Sequence, residues 1–140
     1  MKAKKIPQGF LIRLDKGEEI IATLQDFCQK KRIHAAWISG IGSIEEVVLS
    51  YYRHDHQTYL DEEIEGMLEI ASLTGNVALV DKKPTLHIHC VLADRQMNCF
   101  AGHLKEGLIG STCEIKLEIL GGAVSRSFDS EIGLHLLKLD

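Results

Sequence analysis

Long apolar runs are missing from these 140 residues: no stretch approaches the roughly 20 apolar residues that a helix needs to cross a bilayer. The basic start, Met1-Lys2-Ala3-Lys4-Lys5, runs into Ile6-Pro7-Gln8-Gly9 instead of an apolar segment, so it does not read as a secretory signal. Positive charge is not in excess. The formal net charge of -4 creates no global field for nucleic acid or acidic lipid. No Cys-x-x-Cys pair occurs; Cys28, Cys90, Cys99 and Cys113 read as small buried thiols in a reducing compartment. No Gly-x-Ser-x-Gly nucleophile elbow is present. Gly40-Ile41-Gly42-Ser43 lacks the third glycine of a dinucleotide fingerprint, because Glu45 stands there, and a strand-like Val47-Val48-Leu49-Ser50-Tyr51-Tyr52 follows where a helix is required. A tight turn using glycine dihedrals is the better reading. Internal repeats, linkers and low-complexity segments are also lacking. These absences leave a cytoplasmic protein with one domain over residues 1–140.

What is present is mostly strand. Gly9-Phe10-Leu11-Ile12-Arg13-Leu14 reads as a first strand, after which Asp15 or Gly17 opens a helix. Ile20, Ile21, Leu24, Phe27 and Cys28 recur at helical spacing, with Glu18-Glu19 suited to the first turn and Lys30, Lys31 and Arg32 to the last. Beyond it, 33–38 and 47–52 are strand-like, and 55–63 reads as a loop or short edge strand. The run 67–73 is another strand, closed by Thr74-Gly75-Asn76, and 77–80 is a short one. Asp81-Lys82-Lys83-Pro84 is a turn. Residues 113–119 alternate as a strand with one wet face does, Gly121-Gly122 ends it, and 134–139 is a final strand. The expected class is α+β: a mostly antiparallel β-sheet with one main helix packed on it.

The chemistry concentrates in three histidines. His87 and His89, in Thr85-Leu86-His87-Ile88-His89-Cys90, are two apart in a strand and so share a face. His103, in Ala101-Gly102-His103-Leu104, lies in the next apolar run, past Asp94-Arg95-Gln96. A hairpin centred on Gln96 sets residue 89 opposite 103, 90 opposite 102, 91 opposite 101 and 92 opposite 100. Opposed residues share a face, so three imidazoles converge on one point. A register slip of one residue sends His103 to the other face. Three neutral imidazoles with an open fourth position suit zinc, or another divalent transition metal. The same histidines are also compatible with packing in a core or at a subunit contact. His54-Asp55-His56 repeats the spacing in a polar segment and reads as a solvated loop; His34 and His135 are isolated. Glu69, set among apolar neighbours, reads either as a site carboxylate or as the salt-bridge partner of a residue such as Arg13.

Several segments, in order, resemble a known family. They are Arg13-Leu14 with Gly17-Glu18, Ile38-Ser39-Gly40-Ile41-Gly42-Ser43, Leu68-Glu69-Ile70-Ala71-Ser72-Leu73-Thr74-Gly75-Asn76, Pro84-Thr85-Leu86-His87-Ile88-His89 and Gly102-His103-Leu104. Together they are similar to the plants-and-prokaryotes conserved (PPC) domain, in its stand-alone prokaryotic form. The resemblance implies an antiparallel sheet beside a helix, assembly as a homotrimer, and bound metal at His87, His89 and His103. Ala101 departs from the second glycine that many members carry before the histidine. Plant members join the domain to an AT-hook and are described as DNA-binding. No Arg-Gly-Arg occurs here, so DNA binding rests on the family likeness, and the negative net charge gives it little support.

Two functions follow from these residues and from what the resemblance implies. The first is a trimeric metal-binding protein of regulatory or scaffold type, with DNA as a partner suggested by the family. The alternative is a zinc-dependent hydrolase or lyase, in which the metal generates a hydroxide nucleophile and Glu69 or Glu106 serves as acid or base.

Overall fold

In the computed structural model, which describes residues 1–139, strands dominate and one helix is present. The elements are β1 (Lys2–Ile6), β2 (Gly9–Asp15), α1 (Ile20–Lys31), β3 (Ala36–Arg53), β4 (Thr58–Val80), β5 (Lys83–Ala93), β6 (Cys99–Ile119), β7 (Ser125–Asp129) and β8 (Leu134–Lys138). Pairing is antiparallel except for a single parallel bridge between Leu79 and Ser125. β3 pairs with both β4 and β6, and β5 pairs with the same two strands, so these four close a ring of pairings. β1 and β2 extend the sheet from β6, while β7 and β8 extend it from β4.

The ring is filled from the inward face of its strands. Along β5, Ile88, Cys90 and Leu92 point into the core. They join Ile38, Ile44, Leu73, Ile109 and Leu117, all fully or nearly fully buried. Helix α1 lies against β5 and β6 and buries Ile20, Leu24, Phe27 and Cys28. Phe27 meets Phe10 edge to face, with centroids 5.1 Å apart.

Several expected boundaries are displaced. The helix opens at Ile20, not at Asp15 or Gly17, because Glu19 caps it: its carboxylate accepts from the Ile21 and Ala22 amides and, at 2.9 Å, from Gly107 on β6. The last turn does carry Lys30 and Lys31, and Arg32 ends the helix in the left-handed region. Gly40-Ile41-Gly42-Ser43 is not a turn but the middle of β3, where the register shifts against β4 and β6. Glycine is required there by close approach: a Cβ on Gly42 would lie 2.4 Å from the Thr112 carbonyl oxygen. Residues 58–63 are strand, paired with 48–53, and Thr74-Gly75-Asn76 continues β4 without a break. β1 and β7 had no signal in the sequence reading. Cys28, Cys90 and Cys113 are buried as expected, with burial pushing their thiols up to about 12, 11 and 12; Cys99 is exposed.

Candidate metal centre

The hairpin register is the one the histidine spacing demands. His89 opposes His103, Cys90 opposes Gly102, Val91 opposes Ala101 and Leu92 opposes Phe100. Asp94 builds the turn, accepting from the Gln96 and Asn98 amides, and Met97 takes the left-handed conformation. On the neighbouring strand Thr74 faces His89 and Asn76 faces His87. The three rings therefore stand on the outer face of the ring of strands, opposite the side carrying Ile88 and Cys90. A Cβ on Gly75 would lie 2.2 Å from the His87 carbonyl oxygen, so the close seating of β4 against β5 beside the site depends on glycine.

Ring centroids lie 5.1 Å apart for His87–His89 and His87–His103, and 5.4 Å apart for His89–His103. One nitrogen from each ring lies within 4.8 Å of the others. Tetrahedral zinc with Zn–N bonds of roughly 2.0–2.1 Å sets its nitrogens about 3.3 Å apart. The Nε2 atoms of His87 and His89 are already 3.2 Å apart, close to that spacing. His103 Nδ1 is buried without a hydrogen-bond partner, which leaves it free to serve a ligand. The residues present fit a divalent transition metal.

The surroundings bias His87 and His103 toward the neutral form that a metal needs. Burial, then the Arg126 guanidinium, then the other two histidines pull His87 down to about 4. Burial and His89 lower His103, partly opposed by Asp61. That carboxylate is already engaged, accepting from Ser50 Oγ at 2.7 Å and Lys105 Nζ at 2.5 Å. Tyr59 lies over His103 with centroids 5.4 Å apart, and burial raises its phenol.

Arg126 was not anticipated. It comes from β7 and reaches His87 Nδ1 at 3.3 Å, Asn76 Oδ1 at 2.8 Å and the His135 carbonyl at 2.9 Å. A guanidinium only donates, so His87 Nδ1 accepts and its proton sits on Nε2, directed at His89 Nε2. Nothing in the sequence marks Arg126, which follows Gly121-Gly122 by a few residues and joins the site only through tertiary packing. Glu69 and Glu106 lie outside the cluster. Glu69 is exposed opposite Ser43 and Ala93, and the carboxylate paired with Arg13 is that of Asp15, not Glu69. Glu106 is exposed opposite Val48 and lines a cavity of about 330 Å3 with Glu46, Glu63 and Glu65. His54 and His56 lie exposed at the β3–β4 turn, as a solvated loop requires.

A second feature shares the histidine face. A groove of about 810 Å3 has Leu11 and Ile41 among its apolar lining and Lys2, Lys4, Arg13 and Lys116 among its charged residues. Its members Lys4, Leu11, Lys116, Ser39 and Thr74 form one cross-strand row that continues into His89 and His103.

Comparison with known proteins places this geometry in context. Residues 1–120 match the family model of the Plants and Prokaryotes Conserved (PCC) domain. A metal-containing protein from Archaeoglobus fulgidus superposes with a TM-score of 0.84 at 37% identity, over 97% of this chain and 98% of that one. A protein from Bacteroides thetaiotaomicron VPI-5482 with a provisional DNA-binding description gives a TM-score of 0.95 at 28% identity, over 98% and 96% of the two chains. The bifunctional protein GlmU of Synechococcus sp. (strain JA-3-3Ab) is 29% identical over 99% of this chain, which spans 22% of that protein's length.

Proposed function

The chain belongs to the Plants and Prokaryotes Conserved (PCC) domain family, and from that premise we propose that it is a cytoplasmic, single-domain, homotrimeric metal-binding protein of regulatory or scaffold type. His87, His89 and His103 hold zinc or another divalent transition metal. The observation that carries this reading is the convergence of three imidazole nitrogens within 4.8 Å, produced by a register in which His89 and His103 oppose each other. The metal-containing relative from Archaeoglobus fulgidus supports it. When bound, such a metal supplies Lewis acidity and one exchangeable position.

A role apart from catalysis is favoured by where the carboxylates stand. A zinc hydrolase or lyase needs an acid or base within hydrogen-bond reach of the open position. Glu69 and Glu106, the two residues suited to that task by sequence, are not part of the histidine cluster, and Glu106 lines a separate cavity. Trimer formation is supported by Leu11, Trp37 and Ile41, three large apolar side chains about half exposed on the sheet. DNA as a partner is supported by the description of the Bacteroides relative and by the lysines and arginine of the groove.

The deciding experiment is elemental analysis of protein purified without a histidine tag, read beside its mass in solution. One transition-metal ion per chain and a particle of three times 15.6 kDa are expected. Protein that binds none of zinc, cobalt or nickel at pH 7.5 removes the metal reading; a monomer removes the trimer.

A further inference from the structure

We infer that copies of this chain meet head to tail, the cross-strand row Lys4–Leu11–Lys116 of one docking on the row Glu63–Val48–Glu106 of the next. The inference rests on the trimer reading above and deepens it by naming the two surfaces that join.

Symmetry sets the requirement. In a ring of three, each copy touches its two neighbours through two unlike surfaces, so such a chain must carry a pair of complementary patches. The strand register supplies that pair. Leu11 on β2 opposes Lys4 on β1 and Lys116 on β6. Val48 on β3 opposes Glu63 on β4 and Glu106 on β6. Both rows read charge, apolar, charge, with opposite sign. In each row the two charges stand two strand spacings apart, roughly 9.5 Å. Ile12 beside Leu11, and Val47 and Leu49 beside Val48, point into the core, which turns both rows to the outer face.

Neither row is neutralised within its own chain. Among the described residues Lys4, Glu63 and Glu106 form no ion pair, and Lys116 reaches only Glu118 on its own strand. Lys105 feels the charges of Glu106 and Glu63 but is bonded to Asp61. Beside the acidic row, Glu46 directly opposes Glu65, and like charges so placed destabilise a sheet. Lysines from a neighbouring copy relieve that repulsion.

Apolar surface accompanies the charge. Leu11 and Ile41 in the groove, and Met67 on β4 beyond Glu65, are about half exposed. Large apolar side chains rimmed by polar residues mark a protein contact. The basic row also runs on through Ser39 and Thr74 to His89, and Ser50, the next outward residue after Val48, opposes His103. The seam therefore borders the metal centre.

Charge reversal in the full-length protein tests the pairing, read by mass in solution. Lys4→Glu with Lys116→Glu, and separately Glu63→Lys with Glu106→Lys, are each expected to weaken association roughly a hundredfold or more, the scale for like charges set face to face. The particle then shifts toward the single chain of 15.6 kDa. A chain carrying all four reversals restores opposite signs and is expected to recover the particle of three, a gain that misfolding does not imitate. Circular dichroism checks that each variant is folded. A trimeric wild type whose two double variants are equally trimeric overturns the inference and leaves the trimer standing; loss of duplex DNA alone in the lysine variant would then assign the groove to nucleic acid. A folded fourfold variant that stays dispersed overturns the pairing as well. A monomeric wild type overturns both readings.

Discussion

His87 shows how one side chain ties the site to the fold. Burial and the cation beside it hold its folded-state value near about 4, whereas an unfolded histidine titrates near 6.5. Between those values the unfolded chain binds the extra proton, so metal-free protein is expected to lose stability as pH falls from about 6.5 toward 4, with no further loss from this residue below that. Urea midpoints measured at intervals between pH 7.5 and 4 check this, and His87→Gln should flatten the slope. The ligand assignment has its own test: His89→Ala is expected to remove most bound metal while His54→Ala, at an exposed turn, leaves it intact. Elemental analysis of the two purified variants decides, and equal loss would mean that the wrong His-x-His pair was chosen. His87, His89 and His103 were legible because strand periodicity and hairpin parity are strict rules. Arg126, Asn76 and Tyr59 were not, because their approach depends on which strands become neighbours.

Among the elements, α1 and the β5–β6 hairpin could be read directly, since apolar spacing and a short polar turn define them locally. β3 and β4 could not: each is one long strand, but glycines and polar stretches punctuate it like turns. Those glycines answer to the neighbouring strand's backbone, which no local pattern reveals. Gly75→Ala should accordingly cost about 1–3 kcal/mol, the usual range for overpacking, because its new methyl group meets the His87 carbonyl oxygen. Denaturant melts of the two proteins measure it, and metal affinity should fall with stability. The Glu19 cap makes a parallel case. Glu19→Ala removes the acceptor for three amides, two in α1 and one at Gly107, and is expected to cost about 1–2 kcal/mol by the same measurement.

For the molecule as a whole, the groove and the histidines share one face, so charge there has consequences that the net value of -4 conceals. Affinity for duplex DNA is expected to come from Lys4, Lys116 and their neighbours and to fall steeply with salt. A gel shift at low ionic strength is expected to vanish when Lys4→Glu and Lys116→Glu are combined; no shift with the wild-type protein would remove DNA as a partner. The architecture also constrains how the chain is made. Leu14 pairs with Cys113 and Ala36 with Ile119, so early strands wait for partners that leave the ribosome much later. Non-local pairing of this kind is slow and leaves apolar strand edges uncovered in the nascent chain. A product halted before β6 has no means of closing the ring, which makes incomplete translation, more than thermal unfolding of the finished protein, the hazard against which chaperones and proteases would have to guard.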